Sequence, residues 1–237
     1  MGQADNIEAK DRIINASIQL FSQKGFDAAS VNEIAEQANV TKALIYYYFK
    51  SKEEILDYLV RSLHQDITSI AMDFIHANIV RMIDDGQLDI LPDRLRFTDE
   101  EARKNFSQNM KVYFGNILDY AIGNRAVIRI LMLESLKNSK HHNDLFKIMD
   151  LIKGSDDNII FKTISDADSD FTYSDDMVLF KFFFTGVPLL NFAAYYDDYK
   201  AMSGLGDEEL KNSFLQSSDI IFTSLISGSD ILLRNKK

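Results

Sequence analysis

Residues 30–52 read SVNEIAEQANVTKALIYYYFKSK, and their spacing predicts a helix, a tight turn and a second helix. Val31, Ile34, Ala35 and Ala38 recur as one apolar helical face. Ser30 with Glu33 has the S-x-x-E form of a capping box, which satisfies two backbone N–H groups at a helix start. Asn39 stands where that helix must stop, and asparagine is among the few residues besides glycine that tolerate the left-handed backbone of a tight turn. Thr41 then caps the second helix. At about 100° per residue, Ile45 and Phe49 fall on its inner side and Ala43, Tyr46 and Tyr47 on its outer side.

The outer face has Lys42 at its edge and Lys50 and Lys52 beyond it, with no carboxylate between Glu36 and Glu53. A helix that enters a major groove needs such a face. Small residues permit close approach, hydroxyls and ammoniums meet phosphates, and side chains near the helix start reach base edges. Ser51 and Glu54 repeat the capping-box pattern, so Lys52 is expected in the first turn of the following helix, near the phosphate backbone. The expected DNA-contacting set is Ser30, Asn32, Thr41, Lys42, Ala43, Leu44, Tyr46, Tyr47, Tyr48 and Lys52, with Tyr48 at the edge of the inward face.

The run NVTKALIYYYFKSKEEIL from Asn39, with FDAASVNEIAEQA before it, closely resembles the DNA-binding signature of the tetracycline-repressor (TetR) family of bacterial transcriptional regulators. The resemblance covers roughly residues 7 to 60 and rests on the spacing of Ala35, Val40, Tyr46, Phe49 and Lys52. Two positions depart from the pattern. Asn39 replaces the usual turn glycine, and Leu44 fills a slot often held by threonine or serine. Leucine offers a base only apolar contact, for instance to a thymine methyl. The resemblance implies a dimer joined through the last two long helices as a four-helix bundle.

Outside this stretch the chain reads as helix throughout. Two prolines, ten glycines and long runs of helical periodicity argue for an all-α fold: a three-helix head joined by a long helix to a larger body. The expected domains are 1–52, which binds DNA, and 53–237, which binds ligand and dimerises. Ala9, Ile13, Ala16 and Leu20 form the inner stripe of a first helix that Gly25 ends, with Phe26 packing back. From Ser51 the pattern continues to Met82. Residues 84–97, with Gly86 and Pro92, read as a loop. Further helices are expected from Thr98, from Arg125 and over 141–153, followed by a flexible polar segment at 155–173. An aromatic helix from Asp175 to about Asp198 should kink at Gly186 and Pro188. A last helix carries Leu210 to Ile226.

The body is expected to hold a small apolar or amphipathic ligand. Phe74, Phe106, Met110, Tyr113, Phe114, Ile117, Ile128, Met132 and Phe146 offer the adaptable lining such pockets use, or else they fill a core. Glu134 is a possible anchor for a cationic group, or a paired charge. The aromatic helix has more apolar surface than one face hides, which suggests a homodimer interface at Phe180, Phe184, Leu190, Phe214, Ile221 and Leu225.

Composition excludes several classes. With no cysteine there is neither a disulfide nor thiolate chemistry, which fits a cytoplasmic protein, and no apolar run is long enough to span a membrane. No catalytic residue, cofactor or metal site is expected. His64 and His76 lie about 120° apart on a helix, His141 and His142 point in different directions, and the calcium-like DADSD from Asp166 has Phe171 where glycine is needed. The net charge of −10 divides unevenly: residues 1–52 hold six Lys/Arg and six Asp/Glu, while the other 185 hold 20 against 30. A neutral head with a basic edge contacts phosphates while the acidic remainder disfavours random adsorption. Together these features read as a DNA-binding regulator without enzymatic activity, most simply a repressor of palindromic operators released by a ligand. An activator or protein-responsive regulator of the same fold, and a helical ligand-binding protein with a vestigial head, remain open at this point.

Overall fold

The computed structural model describes residues 3–91, 94–152, 155, 157–171 and 175–226. In chain order the helices are α1 (Gln3–Lys24), α2 (Val31–Gln37), α3 (Lys42–Tyr48), α4 (Lys52–Phe74), α5 (Arg81–Asp84) and α6 (Glu100–Gly123). There follow α7 (Arg125–Ser135), α8 (Ile159–Ala167), α9 (Asp175–Lys181), α10 (Val187–Ala194), α11 (Tyr196–Ser203) and α12 (Asp207–Ile226). Strands β1 (Leu88–Leu91) and β2 (Arg94–Phe97) pair antiparallel between α5 and α6. The chain divides into two compact units, Met1–Gln65 with Asn124–Leu145, and Asp66–Gly123 with Phe146–Lys237. Among the described residues no single helix is long and apolar enough to cross a membrane.

In the first unit the stripe of α1 is buried at Ala9, Ile13, Ala16 and Phe21, while Leu20, expected inside, is half-buried. Ser17 takes a place in that stripe because its hydroxyl donates to the Ile13 carbonyl at 2.7 Å, so no polar group is stranded. Gly25, at φ 86°, ends the helix, and Phe26 folds back edge-to-face on Phe21 with ring centroids 5.1 Å apart. Helix α7 packs against α1 and buries Val127, Ile128, Ile130 and Leu131. Each such side chain contributes about 1.5–3 kcal/mol when taken from water.

In the second unit one core gathers Phe74, Leu88, Phe106, Ile160, Ile164 and Phe171, and another gathers Leu118, Phe192, Tyr196 and Leu210. Four sequence expectations change here. Residues 84–97 are not a plain loop. Leu88 and Ile90 pair with Phe97 and Leu95, and these four pack on the first core while Asp89 and Arg96 form an ion pair across the other face. Residues 155–173 contain α8, which Asn158 caps by accepting from the Ile160 N–H at 2.9 Å, and whose Ile160 and Ile164 are core. The helix expected over 141–153 is a 3-10 segment, Leu145–Ile152.

The aromatic helix bends elsewhere than expected. A π-helical segment, Phe182–Gly186, in which Val187 N–H donates to the Phe182 carbonyl five residues back, absorbs Pro188. The turn in direction comes at Tyr195, where the axis bends by 73° into α11. A second π segment, Ile75–Val80, interrupts the long helix between α4 and α5.

Candidate nucleic-acid interface and body cavity

The caps and the turn read from residues 30–52 are made, except that the Ser51–Glu54 box closes on Lys50. The Ser30 hydroxyl accepts from the Glu33 N–H at 3.3 Å, and the Glu33 carboxylate accepts from the Ser30 N–H at 2.9 Å. Asn39 takes the left-handed conformation at φ 52°. Thr41 Oγ1 caps α3 by accepting from the Leu44 N–H at 3.2 Å. Ser51 caps α4 through the Glu54 N–H at 3.2 Å, while Glu54 reaches back to the N–H of Lys50 at 2.5 Å. Arg12 Nε donates to the Ala38 carbonyl at 3.2 Å, which fixes the end of α2 to α1. Lys24 and Ser30 together hold the Glu33 carboxyl down to about 2, the Lys24 ion pair contributing most.

With Ile45 at 1 % and Phe49 at 3 % exposure anchoring its inner side, α3 turns Lys42, Ala43, Tyr46 and Tyr47 outward, with Lys50 just past its end. Tyr46 is 47 % and Tyr47 71 % exposed. The Lys42 ammonium lies 5.8 Å from the Tyr46 ring centre, and Asn32, Ser30 and Thr41 are exposed beside this face. Leu44 is half-buried, which limits it to edge contact. Tyr48 is also half-buried, its ring edge-to-face on Tyr47 at 5.1 Å, and desolvation first and Tyr47 second push its phenol above the ordinary 10.0. It is a hydroxyl donor at neutral pH.

Lys52 departs from its expected place at the phosphates. Its ammonium donates to the carbonyls of Phe26 at 2.7 Å, Ala29 at 2.9 Å and Asp27 at 3.2 Å, and lies 4.4 Å over the Phe26 ring. An ammonium has three hydrogens, and all three are engaged inside the head. Lys52 therefore closes the α1–α2 loop: it is the donor for the carbonyls of Asp27 and Ala29, and a second one for that of Phe26, which also accepts from the Ala29 N–H at 3.3 Å. Sequence reasoning also missed the next clasp on that loop. Lys137 donates to Asp27 at 2.9 Å and to Glu134 at 2.5 Å. Glu134, expected as a ligand anchor, is 1 % exposed in the first unit and answered by that lysine; its second oxygen has no partner among the described residues. The i, i+3 spacing of Glu134 and Lys137 was visible in the sequence, but the third member, Asp27, lies 110 residues away.

The expected ligand residues separate. Ile128, Met132 and Glu134 lie on α7 in the first unit, where Ile128 is core at 1 % exposure. In the second unit Phe106, Phe114 and Ile117 are buried, Met110 packs on the first core, and Phe146 is 41 % exposed against Phe182. Phe74 and Tyr113, stacked with centroids 4.5 Å apart, border an open groove of about 560 Å³ whose rim carries Ile70, Asn78, Asn109 and Asn116. The expected interface residues also divide. Phe180 and Leu190 are buried, each at 8 % exposure, and Phe214 stacks on Phe192 at 4.2 Å. Phe184 is 50 % exposed and Ile221 half-buried, while the side chain of Leu225 lies outside the described residues. Exposed instead are Leu179, Phe183 and Val187, spaced by four residues, with Ile220 on α12.

A short capped α2, a left-handed turn and an α3 with a cationic, tyrosine-bearing outer face form a helix-turn-helix head on a predominantly helical chain. Residues 13–59 match the model of the bacterial regulatory proteins, tetR family. The chain is thus similar to that family over its helix-turn-helix head.

It is 44 % identical over 59 residues to the probable HTH-type transcriptional regulator YttP of Bacillus subtilis (strain 168), a match covering 25 % of this chain and 28 % of that one. It is 40 % identical over 63 residues to the biofilm operon icaADBC HTH-type negative transcriptional regulator IcaR of Staphylococcus aureus (strain Newman), covering 27 % and 34 %. The matched stretch thus spans about a third or less of each curated relative. Over nearly the whole chain the fold is that of the fatty acid degradation regulator FadR from Bacillus halodurans, at a TM-score of 0.54 and 14 % identity, covering 97 % of this chain and 99 % of that one. FadR from Bacillus subtilis, solved with stearoyl-CoA, matches at a TM-score of 0.53 and 17 % identity, covering 88 % and 97 %.

Proposed function

We propose that the chain is a homodimeric, cytoplasmic transcriptional repressor that reads an inverted repeat in double-stranded DNA and releases it when a small apolar or amphipathic ligand binds the second unit. The observation that carries the reading is the outer face of α3, where Lys42, Tyr46, Tyr47 and Lys50 stand exposed on a helix whose inner side is locked by Ile45 and Phe49. Sequence-independent affinity comes from cations at phosphates, and register from side chains at the helix start. The exposed stripe Leu179, Phe183 and Val187 supports self-association, because an apolar surface of that kind is costly in water. A two-fold dimer sets its recognition helices about 34–36 Å apart, one turn of the duplex.

The sign of regulation follows the negative regulator IcaR, and the ligand class follows the FadR solved with an acyl-CoA. The groove beside Phe74 and Tyr113 offers such a molecule an apolar wall and a rim of amides with one carboxylate, Asp73. A ligand can shift the DNA-bound population only by its differential affinity for the two states. Selection of duplex sites in vitro by the purified chain tests the reading. The expected result is an enriched inverted repeat, bound about tenfold or more weakly by Tyr47→Ala at unchanged melting temperature. Failure to enrich any sequence at moderate salt, or full affinity in the variant, rejects it.

A further inference from the structure

Beneath the α1–α2 loop the first unit gathers a set of metal-ligating atoms that DNA binding does not use. His141 and Asp144 come from the turns after α7, Asp57 from the second turn of α4, and one ligand atom from each lies within 4.8 Å of the others. The ring nitrogen Nδ1 of His141 is 2.7 Å from Asp144 Oδ2 and 3.9 Å from Asp57 Oδ1. His141 is 3 % and Asp144 4 % exposed. The imidazole is fixed edge-to-face against Phe26 at 5.2 Å, so its orientation toward the two carboxylates is set by packing. Its other nitrogen, Nε2, is buried and has no hydrogen-bond partner among the described residues. The adjacent His142 is exposed and points elsewhere, as the sequence predicts.

We propose that Asp57, His141 and Asp144 form a binding site for a first-row divalent transition metal. One imidazole nitrogen and two carboxylate oxygens are the mixed donors that zinc, manganese or iron(II) accept, whereas magnesium and calcium take all-oxygen sets. Bonds of about 2.0–2.2 Å place donors on one ion within about 4.4 Å of each other. The set meets that after a small rotation of Asp57, whose side chain is 43 % exposed. The same exposure opens a path for the ion and leaves room for water to complete its shell. The bound cation neutralises two carboxylates facing one point and ties the start of α4, which follows directly on α3, to the turns after α7. It thereby stiffens the support of the recognition helix.

Full-length chain stripped with EDTA and titrated with zinc chloride in a calorimeter tests the site. One zinc per chain is expected, with a melting temperature raised by about 5 °C or more at a hundredfold excess over Kd. Cobalt(II) in its place should give a visible absorption band. Asp57→Asn, at a half-exposed position, should leave the circular dichroism spectrum unchanged, weaken zinc at least tenfold and alter the cobalt band. His142→Ala should change none of these. Absence of stoichiometric binding, or binding that survives Asp57→Asn and disappears with His142→Ala, overturns the site.

Discussion

The α2–turn–α3 segment and the hairpin with α8 are both short, yet they are closed in different ways. In the first, each boundary is made by a side chain within four residues: Ser30 with Glu33, Asn39, Thr41 with Leu44, and Glu54 with Lys50. In the second, Asn158 caps the start of α8 locally, but what holds the hairpin and α8 in place is a distant core. Leu88, Ile160 and Ile164 meet Phe106 and Phe171, and the Ile90 N–H donates at 3.4 Å to Asp168, 78 residues on. Local closure holds α3 in a defined pose. The second region has little reason to keep its shape once the core is opened.

The largest effect should come from opening that core. Ile164→Ala removes a side chain that is 3 % exposed and should cost about 2–5 kcal/mol, seen as a lower urea midpoint. A change near zero would mean that 155–173 is the flexible segment its composition suggests, and the contrast between the two regions would collapse. A smaller loss is expected in the head. Lys52→Ala removes the ammonium that three carbonyls of the α1–α2 loop share, of which that of Phe26 keeps the Ala29 N–H, and should cost about 1–3 kcal/mol. It should leave the salt dependence of DNA binding unchanged, because this ammonium is committed within the protein. A salt slope lowered by about one unit would instead restore Lys52 to the phosphates.

The smallest effect concerns pH. The folded Glu33 carboxyl lies near 2 against an ordinary 4.5, so its contribution is complete above 4.5 and is lost as pH falls toward 2. Over that window the melting temperature of the wild type should fall more steeply than that of Glu33→Gln. Parallel curves would show that the exposed pair with Lys24 adds nothing measurable, a common outcome for surface pairs.

Legibility followed the same division. Ser30, Asn39, Thr41, Ile45 and Phe49 were readable because each role is decided by spacing along one or two turns. Periodicity puts Lys52 on α4 but does not show its partners. Its acceptors are carbonyls more than 20 residues earlier, in a loop whose path no spacing rule describes. The hairpin is hard to read although Leu88, Ile90, Leu95 and Phe97 alternate, because two four-residue runs are too short to outweigh the helical pattern around them. In the aromatic helix, proline and glycine marked a kink that a π turn absorbed, and the bend moved to Tyr195.

By itself the sequence determined the all-helical class, the helix-turn-helix with its turn, and the outward face of α3. These are consequences of backbone capping and of a 3.6-residue repeat, which act over a few ångströms along the chain. Only the tertiary structure decided that Lys52 and Lys137 clasp the α1–α2 loop, that Phe180 and Leu190 turn inward while Phe183 and Val187 turn out, and that Asp57 meets His141 and Asp144. Such contacts join residues tens to more than a hundred positions apart. Which of many compatible partners a charge or ring finds is set by how whole helices pack, and periodicity carries no information about that.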